Sequence, residues 1–281
     1  MPRYIFTLRC EDRAGIVLAI ARAIGEVGGN IVESAQFSDP PTGLFCMRVS
    51  FDSSIEFPAV DGALRASSAP FGALVGVRPE SRLRRTLVMV SKLDHCLADL
   101  LYRWKIGELP VEIPVVVSNH GDCAPLVESY DVPFVHVPVT PSTKGRAERV
   151  LRELVAEHEV DFIVLARYMQ VLSPEFFESM PDSIINIHHS FLPGFKGARP
   201  YHQAYERGVK IIGATAHYVT ADLDEGPIIE QSVNRVSHAQ SASDLVAIGR
   251  DIERTVLARA VRLQAEDRVV LAGNRTIVFS P

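Results

Sequence analysis

The chain has 281 residues, 47% apolar and 22% charged, ordinary proportions for a globular protein with a sizeable core. Its 29 Lys and Arg against 34 Asp and Glu leave a net charge of −5, which gives no basic footprint for nucleic acid or an anionic membrane. No apolar run approaches the ~18 residues of a membrane span, and the start, MPRYIFTLRCEDRAG, has no signal-peptide segment.

The four cysteines, at 10, 46, 96 and 123, form no CxxC and suggest neither a disulfide framework nor a zinc site, so a reducing cytoplasm and no metal are expected. Along the chain, RYIFTLR (3–9) reads as a strand. Glu11 to Gly15 turns into a helix, IVLAIARAIGEV (16–27), which Gly28-Gly29 stop. Asn30 to Phe37 and Leu44 to Phe51 are strands joined by the turn SDPPTG. A helix from Phe57 to Ser67 and a short strand from Ala73 to Val77 complete a βαββαβ, ferredoxin-like unit over residues 1–80. The polar stretch around RPESRLRR predicts a linker at 81–85.

A second domain is expected over 86–281. TLVMVS is a strand and Asp94 to Lys105 a helix. VEIPVVVSN (111–119), Pro125 to Tyr130 and VPFVHVP follow as strand, short helix and strand. Residues 142–158 form a well-patterned helix with Ser142 as its N-cap. DFIVLA (161–166) is a strand, and SPEFFESM (173–180) a helix with proline in its first turn. The next strand ends at Asn186-Ile187-His188. Alternating strands and helices imply an α/β domain with a mostly parallel, Rossmann-like sheet and a site at the strands' carboxyl ends. A helix from Pro200 to Arg207, strands at 209–219 and 228–236 (the latter read as antiparallel), a long helix at 241–265 and two short strands end the chain.

Two stretches carry chemistry. In SIINIHHSFLPGFKG (183–197), Asn186 and His188 fall on one face of a strand and His189 on the other. Taken alone, it reads equally as a polar strand end with two satisfied histidines. The loop Thr220 to Pro227 holds Asp222, Asp224 and Glu225 and follows a strand bearing His217; a carboxylate there can orient a histidine or a water, or be a solvated acidic turn. His189 reads as structural, His217 as a supporting group or a core histidine, and Trp104 as core. Cys96 has no activating base in the pattern.

NIHHSFLPGFKG followed by GATAHYVTADLDEGPIIEQ resembles the formyltetrahydrofolate-dependent formyltransfer family, from about residue 86 to the end. Glycinamide ribonucleotide transformylase, methionyl-tRNA formyltransferase and formyltetrahydrofolate deformylase belong to it. The resemblance implies Asn186, His188 and Asp224 as catalytic residues, with Arg167, Tyr168, Met169, Val171, Lys196, Gly197, Thr220 and Leu223 around the folate. Such a family needs no cofactor beyond its folate substrate. Ser91 to Cys96 departs from the glycine-rich phosphate turn of the ribonucleotide transformylase, and Asp94 would repel a phosphate. The chain also lacks the basic surface of a tRNA-binding relative. Water is then the acceptor, and the deformylase branch is the one implied: a hydrolase producing formate and tetrahydrofolate.

The amino-terminal stretch CEDRAGIVLAIARAIGEVGGNIVESAQFSD resembles an ACT domain, which implies a regulatory site for glycine or methionine on Asp12, Gly15, Ile16, Asn30 and Ile31 and a homo-oligomer. The residues themselves show only a small α+β module, and a plain dimerisation unit fits them too. Two other readings stay open: transfer of the formyl group to a small amine acceptor, and a catalytically silent sensor of amino acid and folate.

Overall fold

The computed structural model describes residues 1–180, 183–194 and 200–280. They form two compact units, Met1–Leu83 with Glu266–Pro281, and Arg84–Ala265.

The first unit contains β1 (Arg3–Glu11), α1 (Ile16–Glu26), β2 (Asn30–Asp39), β3 (Leu44–Asp52), α2 (Phe57–Ser68) and β4 (Leu74–Pro79), with sheet order β2-β3-β1-β4. Ile16, Ile20, Ala23 and Ile24 recur at helical spacing and are buried, so α1 lays one stripe on the sheet. Gly15 enters α1 at φ +96°, a backbone region that side-chain-bearing residues avoid. Tyr4, Phe6 and Leu8 on β1 and Phe45, Met47, Val49 and Phe51 on β3 face the helices in one core.

The second unit runs β5 (Arg84–Val90), α3 (His95–Lys105), β6 (Val111–Ser118), α4 (Ala124–Glu128), β7 (Phe134–His136), α5 (Lys144–Glu157), β8 (Phe162–Leu165), α6 (Pro174–Glu178), β9 (Ile184–His188), α7 (Pro200–Glu206), β10 (Ile211–Tyr218), β11 (Ile228–Arg235) and α8 (Ala242–Ala265). Its sheet order is β11-β10-β9-β8-β5-β6-β7. Pairings from β7 to β9 are parallel, whereas β10 runs antiparallel to both β9 and β11. The central runs Leu87–Val90, Val115–Val117 and Phe162–Leu165 are apolar and buried because both faces of the sheet are covered there. Helix α5 starts after Thr143 rather than at Ser142: Thr143 Oγ1 accepts the Thr140 N–H at 2.9 Å, closing a turn that delays the helix.

After α8 the chain enters β12 (Val269–Ala272) and β13 (Arg275–Val278). This hairpin belongs with the first unit, whereas the sequence boundary left it in the second domain. The reason is a set of charged contacts. Arg268 Nη1 and Nη2 meet Glu33 at 2.8 and 3.0 Å, and Arg275 meets Asp39 at 2.8 Å. Arg78 meets Asp267 at 2.5 Å, and Arg48 donates to the Glu266 carbonyl. Ile5, Cys46, Arg48 and Ser50, which alternate with the helix-facing residues of β1 and β3, are accordingly buried as well. Among the described residues no helix is long and apolar enough to cross a membrane.

Candidate active site

The antiparallel return of β10 builds the site. Its register sets His217 opposite Asn186, so His217, Asn186 and His188 share one face. The loop after β10 then folds back. Gly226 passes so close to the Tyr218 carbonyl that an added Cβ would collide with it, and Tyr218 N donates to the Pro227 carbonyl. Asp224, in the left-handed region at φ 59°, is thereby carried over β9. His188 Nδ1 lies 3.1 Å from Asp224 Oδ1, and His217 Nε2 lies 3.9 Å from the same oxygen.

Tautomers follow from the partners. A carbonyl oxygen only accepts, so His217 Nδ1 carries a proton and donates to the Tyr218 carbonyl at 2.9 Å. Burial lowers the His217 pKa against the raising effects of that hydrogen bond and of Asp224, which keeps the ring neutral and leaves Nε2 an acceptor. Asn186 therefore points its amide nitrogen at His217 Nε2, 3.3 Å away, and donates to it. Burial works to raise the Asp224 pKa, but the hydrogen bond and charge of His188 outweigh it and hold the carboxyl below the ordinary aspartate value.

These groups line one cavity of about 420 Å³. Arg167, Tyr168, Met169, Val171, Thr220 and Leu223 also line it, so these predicted binding residues and the three predicted catalytic ones meet in one place. Lys196 and Gly197 lie outside the described residues. Lys144, from the start of α5, and Phe177, from α6, line the cavity too and carried no local motif. His189 also lines it, with its ring 5.1 Å from that of His188. It stands just past the end of β9, where strand alternation no longer assigns a face. Burial, then the charges of Arg167 and His188, push its pKa down to about 3.

A second polar cluster adjoins the cavity. His95 Nε2 and Tyr201 OH each lie 2.8 Å from Glu253, on opposite carboxylate oxygens, and Arg167 Nε is 3.5 Å from Oε2. His95, Cys96 and Glu253 offer ligand-type atoms within 4.8 Å of one another. The cluster nevertheless suits hydrogen bonding better than a cation. Its carboxylate is already bound to a guanidinium and two donors, and burial raises the Cys96 thiol well above its usual pKa, away from the thiolate a metal requires.

The regulatory candidates separate. Asp12 directly follows the carboxyl end of β1, and Gly15 and Ile16 open α1 a few residues later. Asn30 pairs with Asp52, the partner of Arg3 at the other end of β1. Eight strand steps at ~3.3 Å put the two groups roughly 26 Å apart along the strand.

Residues 84–261 match the formyl transferase family. The formyltetrahydrofolate deformylase of Bacillus subtilis is 47% identical over 275 residues, covering 96% of this chain and 92% of its own length. That of Escherichia coli is 44% identical over 283 residues, 99% of each. The crystal structure of the Burkholderia mallei deformylase superposes with a TM-score of 0.96 at 45% identity over all of both chains. Glycinamide ribonucleotide transformylase 1 of Symbiobacterium toebii covers only 70% of this chain, at 31% identity and a TM-score of 0.66. The likeness to the deformylases thus runs through both compact units, and the chain belongs to the formyltetrahydrofolate deformylase family.

Proposed function

We propose that this chain hydrolyses 10-formyltetrahydrofolate to formate and tetrahydrofolate, with Asn186, His188 and Asp224 carrying the chemistry. The observation behind the reading is the meeting of these three side chains on one cavity, in a chain whose full-length relatives are deformylases. Asp224, ionised and tied to His188, holds and polarises a water against the formyl carbon. As the carbon becomes tetrahedral its oxygen gains negative charge. The second N–H of Asn186 and the His188 ring donate to it, each such donor contributing about 10²–10³ in rate. The C–N10 bond then breaks, N10 takes a proton, and formate leaves.

In this reading Arg167, Tyr168, Met169 and Val171 flank the folate ring, with Thr220, Leu223, Lys196 and Gly197 bordering it. The folate is a substrate and no cofactor is needed. The reaction supplies formate for purine synthesis and balances one-carbon folate pools in the cytoplasm. Glycine and methionine act as effectors on the first unit. Asp12, Gly15 and Ile16 stand a strand length from Asn30 and Ile31, a separation that supports a site completed by two copies of the chain in a homo-oligomer.

The test is to mix the protein with 10-formyltetrahydrofolate and no acceptor. Formate and tetrahydrofolate should appear in equal amounts, and Asp224→Ala should lose at least 10²-fold in rate. Near wild-type turnover by Asp224→Ala or His188→Ala would remove the assignment. Effector response is best read in full-length Gly15→Val, because deleting residues 1–83 would strip the partner surface from Glu266–Pro281. An undiminished response to both amino acids in that variant would count against the effector site.

A further inference from the structure

In the second unit the strand order reverses between β5 and β8: β6 and β7 follow to one side of β5, β8 and β9 to the other. Open α/β sheets offer a ligand crevice at that switch point, outside the carboxyl ends of the strands. Here the crevice is laced shut. Ser91, directly after β5, donates its N–H to the Arg167 carbonyl at 3.3 Å and its hydroxyl to Asn119 at 2.7 Å. The same hydroxyl accepts from Met169 N at 3.0 Å.

Side chains from four parts of the unit are packed at the same place. His95 opens α3, Tyr201 comes from α7, Glu253 from α8, and Arg167 from the turn after β8 in a left-handed conformation at φ 65°. The Glu253 carboxylate, 2% exposed, accepts hydrogen bonds from His95 and Tyr201 and is ion-paired with Arg167, whose buried Nε, 3.5 Å away, makes no hydrogen bond. Gly249, one turn earlier on α8, makes room: a Cβ there would run into the Tyr201 ring. Arg167 belongs both to this network and to the wall of the cavity that holds His188 and Asp224.

We infer that the His95–Glu253–Tyr201–Arg167 network is a plug in the switch-point crevice that excludes an amine acceptor and restricts the formyl group to water. The inference rests on the hydrolase reading above and adds what determines the acceptor. An amine reaching the formyl carbon from this side would have to displace a guanidinium paired with a buried carboxylate that already accepts from His95 and Tyr201; breaking into such a buried set is strongly unfavourable. Water is small enough to enter without displacing anything. Specificity of this kind comes from what a site refuses.

The test measures product partition. Wild type, Arg167→Gly, Glu253→Gln and Tyr201→Phe are each given 10-formyltetrahydrofolate with rising glycinamide, and formate and N-formylglycinamide are counted by mass spectrometry. In the amine reaction the glycinamide nitrogen attacks the formyl carbon, the C–N10 bond breaks, and N10 takes the proton, so tetrahydrofolate forms on either route. Wild type should give formate whatever the amine concentration. Arg167→Gly should raise the ratio of formylated amine to formate about 10–100-fold, the range a pocket's shape supplies, with smaller shifts in the other two. The inference is overturned if wild type already formylates glycinamide in the ratio seen for Arg167→Gly. It is equally overturned if all three variants lose formate production and form no formylated amine, since the network would then support catalysis rather than exclude an acceptor. Failure of wild type to release formate without any amine would fall instead on the hydrolase reading.

Discussion

Asn186 donates its amide N–H to His217 across 3.3 Å, and His217 can accept because its other nitrogen is committed to the Tyr218 carbonyl. An asparagine amide has two ends of nearly equal shape, and only one can donate. His217 settles which end faces which way, so the second Asn186 N–H is aimed rather than left to rotate. Replacing His217 with alanine should lower kcat and kcat/KM together by about 10–100-fold with little change in KM, the pattern of an interaction made only in the transition state. His217→Gln, whose amide oxygen can accept, should recover part of the loss. Steady-state kinetics on the two variants decide it: wild-type kcat in His217→Ala would mean that Asn186 is aimed by something else.

The buried neutral histidines give stability a direction with pH. The folded pKa of His189 is pushed down to about 3, against about 6.5 for an unfolded histidine. Between those values the unfolded chain binds a proton that the native chain does not, so stability is full above about pH 6.5 and declines as pH falls toward 3. His217 is shifted the same way and adds to the slope. At pH 5 the His189 contribution alone amounts to about 2 kcal/mol. Urea titrations at pH 7.5 and 5 should show the wild type weakening by at least that much. His189→Asn should lose less between the two pH values; an identical slope in that variant would exclude His189 as the source.

How far the sequence disclosed this site depends on how each part is assembled. Asn186 and His188 are two residues apart on one strand, and Asp224 lies in a loop bounded by Gly226 and Pro227, so local spacing and turn chemistry made them candidates, and the resemblance to the formyltransfer family singled them out as catalytic. His217 was visible only as a histidine before that loop. Its role depends on β10 running antiparallel to β9, which no residue of the connection announces. The Glu253 network stayed hidden, since His95 and Glu253 are 158 residues apart and each reads as an ordinary helical residue. The same applies to the carboxyl-terminal hairpin. RVVLAGNRTIVF is legible as two strands, but the carboxylates that hold it, Glu33 and Asp39, lie more than 230 positions away.

That hairpin carries its own prediction. Arg268 reaches Glu33 with two nitrogens and is itself buried, and its bond to Glu33 is the largest of the effects that lower the Glu33 pKa. Removing the guanidinium leaves Glu33 with Arg48 alone among these ion pairs. Arg268→Ala should destabilise the first unit by about 1–3 kcal/mol, more than Arg254→Ala, whose pair with Asp251 is exposed on both sides. Denaturation followed by fluorescence would order the two. Equal losses would show that the hairpin adds no specific anchoring.

Gly249 offers the sharpest packing test in the second unit. It sits in the middle of α8, where glycine costs a helix about 1 kcal/mol relative to alanine, so propensity alone predicts that Gly249→Ala stabilises the chain. The structure predicts the reverse. The new methyl would meet the rigid Tyr201 ring, whose hydroxyl is held by Glu253 one turn away, and neither side chain can step aside without breaking that bond. Overpacking of this sort costs about 1–3 kcal/mol, enough to outweigh the propensity gain. Gly249→Ala should therefore unfold at lower urea than wild type, while the double variant Gly249→Ala with Tyr201→Ala should regain stability relative to Tyr201→Ala alone. A simple additive loss in the double variant would mean that the glycine is needed for some reason other than the ring it faces.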